Sequence, residues 1–152
     1  MQTNRNEPSL DPVISADGRY VAFTSAAPNL VRPDLAGTTD VFVHDRETGK
    51  TVRASEPADG IPRGGYSVDP DLSADGRYVV FASTANNLVS GDGKDSQDMF
   101  ARDRETLQTI LISGVPDAPA TPAISAESRF VAFEGYASGP NGQIFVLAAV
   151  TL

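Results

Sequence analysis

Two acidic loops carry the side chains best suited to chemistry. Asp34 and Asp40 lie six residues apart, and Asp92 and Asp98 repeat that spacing with Asp95 between them. Gly37 and Gly93 sit inside these loops. Hard cations such as calcium take several oxygens from flexible, carboxylate-rich segments of this kind. Calcium is therefore an expected ligand, with Asp34, Asp40, Asp92, Asp95 and Asp98 as donors. The spacing is not that of an EF-hand, and the plainer alternative is that Asp40 and Asp98 open strands while the others are solvated. His44 is the single histidine. A general base needs an oriented partner or nucleophile within reach, and none is evident, so His44 reads as a surface residue. There is no complete Gly-x-x-x-x-Gly-Lys-Ser/Thr phosphate loop, no Gly-x-Ser-x-Gly elbow and no His-Glu-x-x-His pair. No catalytic residue is expected.

The elements that must position these loops repeat. Ser15-Ala16-Asp17-Gly18-Arg19-Tyr20-Val21-Ala22-Phe23 recurs as Ser73-Ala74-Asp75-Gly76-Arg77-Tyr78-Val79-Val80-Phe81. A weaker copy runs from Ser125 to Phe133, with Glu127-Ser128 in place of Asp-Gly. Each copy opens on a proline and a short apolar segment: Asp11-Pro12-Val13-Ile14, Asp69-Pro70-Asp71-Leu72 and Thr121-Pro122-Ala123-Ile124. The Ser-Ala-Asp-Gly turn leads into a strand such as Tyr20–Phe23, whose continuous apolar character predicts burial on both faces. A loop, a third strand (Asp40–Val43, Asp98–Ala101) and a fourth (Thr51–Ser55, Thr109–Ser113) follow. No helical periodicity appears. Four short antiparallel strands per unit, buried on both sides, must pack between units of their own kind, as propeller blades do. A β-sandwich would alternate more cleanly and show no long-period repeat.

The predicted fold is all-β: a β-propeller of about three four-stranded antiparallel blades. Residues 1–152 form a single domain with repeats near 9–66, 67–118 and 119–152, the last incomplete because no fourth-strand signal precedes Leu152. Both ends look cut. Asp17, Asp75, Arg19 and Arg77 recur with the blade, so a role in the turn is expected of them rather than catalysis.

The formal net charge of −8 and the pI near 4.5 exclude nucleic acid as a partner, since phosphate binding needs clustered Lys and Arg. No segment is long and apolar enough to insert in a membrane, and the first residues carry no signal peptide. The absence of cysteine excludes disulfides and thiolate metal sites.

Pro-x-Ile-Ser-Ala-Asp-Gly-Arg-Tyr-Val-Ala-Phe, followed by Asp-Val-Phe-Val-x-Asp-Arg-Glu-Thr-Gly, resembles the TolB-type (WD-like) β-propeller repeat across nearly the whole chain. The resemblance implies a periplasmic or secreted binding scaffold, or an accessory propeller on a hydrolase. It places Asp11, Asp69 and Thr121 at the entrance of the channel-lining strand, with Arg63, Gly64, Gly65 and Tyr66 as a flexible, aromatic-bearing connection beside it. The expected function is a non-enzymatic module binding a protein or peptide at the propeller face. A hydrolase or lyase, or an accessory domain of a larger peptidase, is the alternative. Three blades do not close a ring easily, so a homodimer of six blades is also expected.

Overall fold

The computed structural model describes residues 7–31, 38–61, 64–90, 97–113, 121–135 and 143–148. Strands β1 (Ser9–Ile14), β2 (Tyr20–Ser25), β3 (Asp40–Asp45) and β4 (Lys50–Arg53) form one sheet in chain order. Strands β5 (Ser67–Leu72), β6 (Tyr78–Ser83), β7 (Asp98–Asp103) and β8 (Thr109–Ser113) form a second. The third contains β9 (Ala123–Ile124), β10 (Phe130–Gly135) and β11 (Gln143–Ala148). Every pairing is antiparallel, and no helix occurs among the described residues. This is the all-β, bladed architecture that the repeat predicts.

The repeated turn explains why each blade starts as it does. The Ser15 hydroxyl donates to Asp17 Oδ1 at 2.6 Å, and the same oxygen accepts from the Arg19 amide at 2.9 Å. Gly18 closes the turn at φ 72°, a left-handed conformation that only glycine adopts without cost. Ser73, Asp75, Arg77 and Gly76 repeat this arrangement in the second blade. In the third, Ser128 takes the glycine's place at φ 58°.

Arg19 then forks onto Asp45 (3.1 and 2.8 Å), and Arg77 onto Asp103 (3.2 and 2.7 Å). In the first two blades this clamps the start of the second strand to the end of the third. The recurrent Asp and Arg residues thus hold turns and strand ends together.

Two apolar cores lie between the sheets. Val13, Ala22, Val41, Val43 and Val52 of the first sheet meet Leu72, Val79, Phe81 and Phe100 of the second. On its other face the second sheet presents Val80, Ala82, Met99 and Ala101 to Val131 and Phe133 of the third. Burial on both faces therefore holds for β6, where Val79 to Ser83 are all buried. It holds less well elsewhere: Val21 and Phe23 of β2 are half-buried, and Phe130 of β10 is 39% exposed. Only the second sheet has a described neighbour on each side.

The junctions are close. A Cβ added to Gly76 would sit 2.3 Å from Tyr20 Cδ2, and the Arg104 guanidinium covers the same ring at 4.0 Å. A relay of main-chain bonds links the turns of successive blades, from the Ala16 amide to Ala74 O (2.9 Å) and from the Ala74 amide to Ala126 O (3.4 Å).

Candidate functional site on the innermost strands

The first strands of the three sheets run beside one another, with β5 lying against both β1 and β9. The Asp-Pro steps expected to mark a channel entrance fall on these strands. Each forms a bulge. Leu10 pairs with Thr24 and Val13 with Ala22, so Asp11 and Pro12 face a single residue, Phe23. Val68 and Asp71 pair with Ala82 and Val80, leaving Asp69 and Pro70 against Phe81. The extra residue bends the strand and re-aims its side chains, a device common beside binding sites.

Both aspartates are left-handed, Asp11 at φ 51° and Asp69 at φ 53°. Aspartate tolerates this region better than most residues, but such strain persists only where its surroundings enforce it, and it concentrates at functional sites. Burial pushes the Asp69 carboxyl above its ordinary pKa, and the negative charge of Asp11 pushes it further in the same direction. The two carboxylates of neighbouring strands therefore feel one another. Asp71 plays a different part. Its Oδ2 accepts from the Ile124 amide at 2.8 Å, tying β5 to β9.

The other candidates separate. Thr121 is exposed and precedes β9, whose bounds are Ala123–Ile124. Tyr66 is 45% exposed beside the bulge, with its hydroxyl 3.3 Å from Gln97 Oε1 and its amide donating to Thr84 Oγ1 at 3.0 Å. Arg63 lies outside the described residues. Gly64, at φ 100°, has open space around it, whereas Gly65 is packed. A Cβ on Gly65, at φ 83°, would come within 2.6 Å of the Ala85 backbone. Glycine here answers a close approach rather than a need for flexibility.

Among the expected calcium donors, Asp34, Asp92 and Asp95 lie outside the described residues. Asp40 opens β3 and uses its carboxylate internally, accepting from Ser55 Oγ at 2.8 Å and pairing with Arg53 Nε at 3.5 Å. Asp98 is buried at the start of β7. No cluster of three or more His, Cys, Asp or Glu side chains suited to a metal occurs among the described residues. His44 Nδ1 lies 3.0 Å from Thr51 Oγ1 on the neighbouring strand.

The bulge and the left-handed aspartates were not foreseen. The Asp-Pro dipeptide, recurring just before an apolar strand, is the signal that marks them.

No protein-family model and no curated protein matches this sequence. Solved structures do match its fold. TolB from Acinetobacter baumannii is 16% identical with a TM-score of 0.59, the match covering 99% of this chain and 31% of that one. The β-propeller domain of the Trilobed protease from Pyrococcus furiosus, which has an open velcro topology, is 15% identical with a TM-score of 0.60, covering 94% of this chain and 39% of that one. An oligogalacturonate lyase in complex with manganese is 11% identical with a TM-score of 0.57, covering 96% and 36%. The chain has the TolB-type β-propeller fold. It spans less than half the length of each of these structures. No helix among the described residues is long and apolar enough to cross a membrane.

Proposed function

We propose that this chain is a non-enzymatic binding module that recognises a protein or peptide at the mouth formed by its innermost strands. The observation that carries the reading is the pair of left-handed aspartates, Asp11 and Asp69, on bulges of adjacent strands. Their carboxylates accept hydrogen bonds and favour cationic groups, so a segment offering N–H donors or a lysine or arginine suits them. Tyr66 adds an exposed aromatic surface beside them. A periplasmic or secreted setting accompanies this reading. The test is affinity capture from a periplasmic extract with the wild-type protein and the Asp11→Asn/Asp69→Asn variant in parallel. A protein retained by the first and at least tenfold depleted with the second supports the reading. Equal retention by both, or none by either, overturns it.

An accessory propeller of a larger hydrolase or lyase is the second reading, favoured by the likeness to the Trilobed protease propeller and the lyase. Calcium held by the loop of Asp92, Asp95 and Asp98 is a separate proposal. A melting temperature that rises at millimolar calcium would support it.

The assembly proposal is a six-bladed homodimer. Phe23 and Phe42 stack at 5.9 Å and 28°, much as Phe81 and Phe100 do at 5.9 Å and 24°. The second pair is buried against the preceding blade. Strand alternation turns the first pair to the side of its sheet away from the second blade, where a further blade would fit. A second copy supplies it in our reading, each chain giving its last blade to the other's first. Light scattering should then read the mass of two chains. One chain's mass, unchanged on dilution, rules the dimer out.

A further inference from the structure

A cleft of about 250 Å³ opens between the outer parts of the first and second blades. Four of the eight lysines and arginines in the described residues line it, in a chain of net charge −8. One of the four, Arg53, pairs with Asp40. For Lys50, Arg102 and Arg104 no carboxylate lies within ion-pairing distance among the described residues. The one acidic lining residue, Asp45, is already held by the two-pronged grip of Arg19. Val43, Val52, Ala54 and Leu107 supply the apolar part of the wall, and Thr48 adds a hydroxyl.

Two of these cations lack compensation. Arg102 is half-buried at the position His44 holds in the first blade, and donates to Thr109 Oγ1 at 2.9 Å. Glu56 and Asp103 act on it only at longer range, while burial draws its pKa down. Moving a cation out of water without a counter-charge is costly. Arg104 donates to Gly76 O and covers the Tyr20 ring, yet its Nε is buried with no acceptor among the described residues.

We infer that this cleft is an oxyanion site, and that its ligand is a phosphomonoester carried on an apolar body. Guanidinium groups match the geometry of phosphate oxygens, and three cations outside any ion pair among the described residues suit a dianion better than a carboxylate. The apolar wall receives the body of the ligand. The site is independent of the aspartate mouth, so neither proposal stands on the other.

Backbone amide shifts in a nitrogen-15 NMR titration test it, with inorganic phosphate, phenyl phosphate and benzoate as probes at matched ionic strength. The expected result is saturable shifts confined to residues near Lys50 and from Arg102 to Leu107. Phenyl phosphate should bind more tightly than inorganic phosphate or benzoate, and at least tenfold more weakly to Lys50→Gln/Arg102→Gln. Arg104 is left intact because it packs on Tyr20. Should the double variant lose its dispersed spectrum, Lys50→Gln alone, on an exposed strand end, should still weaken binding about threefold. Shifts that sodium chloride reproduces, shifts scattered over the surface, tighter binding of benzoate, or affinity unchanged in the variants would each overturn the assignment.

Discussion

Replacing Phe81 with Ala is expected to cost about 3–5 kcal/mol, the range for emptying a large aromatic from a core. Phe81 is fully buried, stacks on Phe100 with ring centroids 5.9 Å apart, and fills the junction between the first two blades. The backbone around it cannot collapse easily, because the Asp69–Pro70 bulge opposite is pinned by ladder bonds on both sides. Thermal or denaturant unfolding measures the loss, and a value under about 1 kcal/mol would show that the junction is not where the stability lies. Phe23→Ala is the internal comparison. It removes the same ring from the half-buried face of the first blade, so a smaller loss is expected there in a monomer.

The second large effect is electrostatic. Asp103 is 2% exposed, receives both prongs of Arg77, and accepts from the Glu105 and Thr106 amides at 2.8 and 3.3 Å. Asp103→Ala strands all of these donors. A cost of about 3 kcal/mol is expected, the low end for breaking a buried pair, because Arg77 is a third exposed and water reaches it. The pH dependence follows in sign. Hydrogen bonding from Arg77 pulls the carboxyl down to about 2 from its ordinary 3.8, burial opposing and the two amides assisting. The folded value is depressed, so the stabilisation is fully present above pH 3.8 and is lost as pH falls through 2. The gap between wild type and Asp103→Ala should therefore shrink between about pH 4 and pH 2. A gap that stays constant through that window would sink the assignment. Asp45 is depressed in the same direction by Arg19, and its loss should add to the acid sensitivity of the first blade.

Much of this architecture is legible in the residues. Tyr78 to Phe81 is apolar without alternation because it lies between two other sheets, and the turn before it needs Asp75 and Gly76 for reasons that short-range chemistry supplies. The copies at Tyr20 and Phe130 carry the same apolar run but are less buried, since burial depends on how many neighbours a blade has and no local pattern records that. The candidate site was legible in part. Asp11 and Asp69 stand out by their repeated proline neighbours, but their left-handed backbone arises from pairing register with β2 and β6. Asp40 stands out in the sequence only by its acidic loop; its partners Arg53 and Ser55 lie across the sheet, 13 and 15 residues on, where spacing gives no hint. The basic cleft was invisible for the same reason, since Lys50 and Arg102 come from different repeats.

The main-chain relay from Ala16 to Ala74 to Ala126 runs in one direction, with each turn donating to the next. The phenylalanine pairs share that sense, the pair of the second blade facing backward onto the first. A blade of this kind thus has a front and a back that fit any sibling. A gene can lengthen or shorten such an array by copying or deleting one repeat, and the new junction inherits its contacts ready-made. Blade number becomes a quantity that recombination can change in single steps, while the aspartate mouth and the basic cleft, each assembled from more than one repeat, are remade or lost with every change.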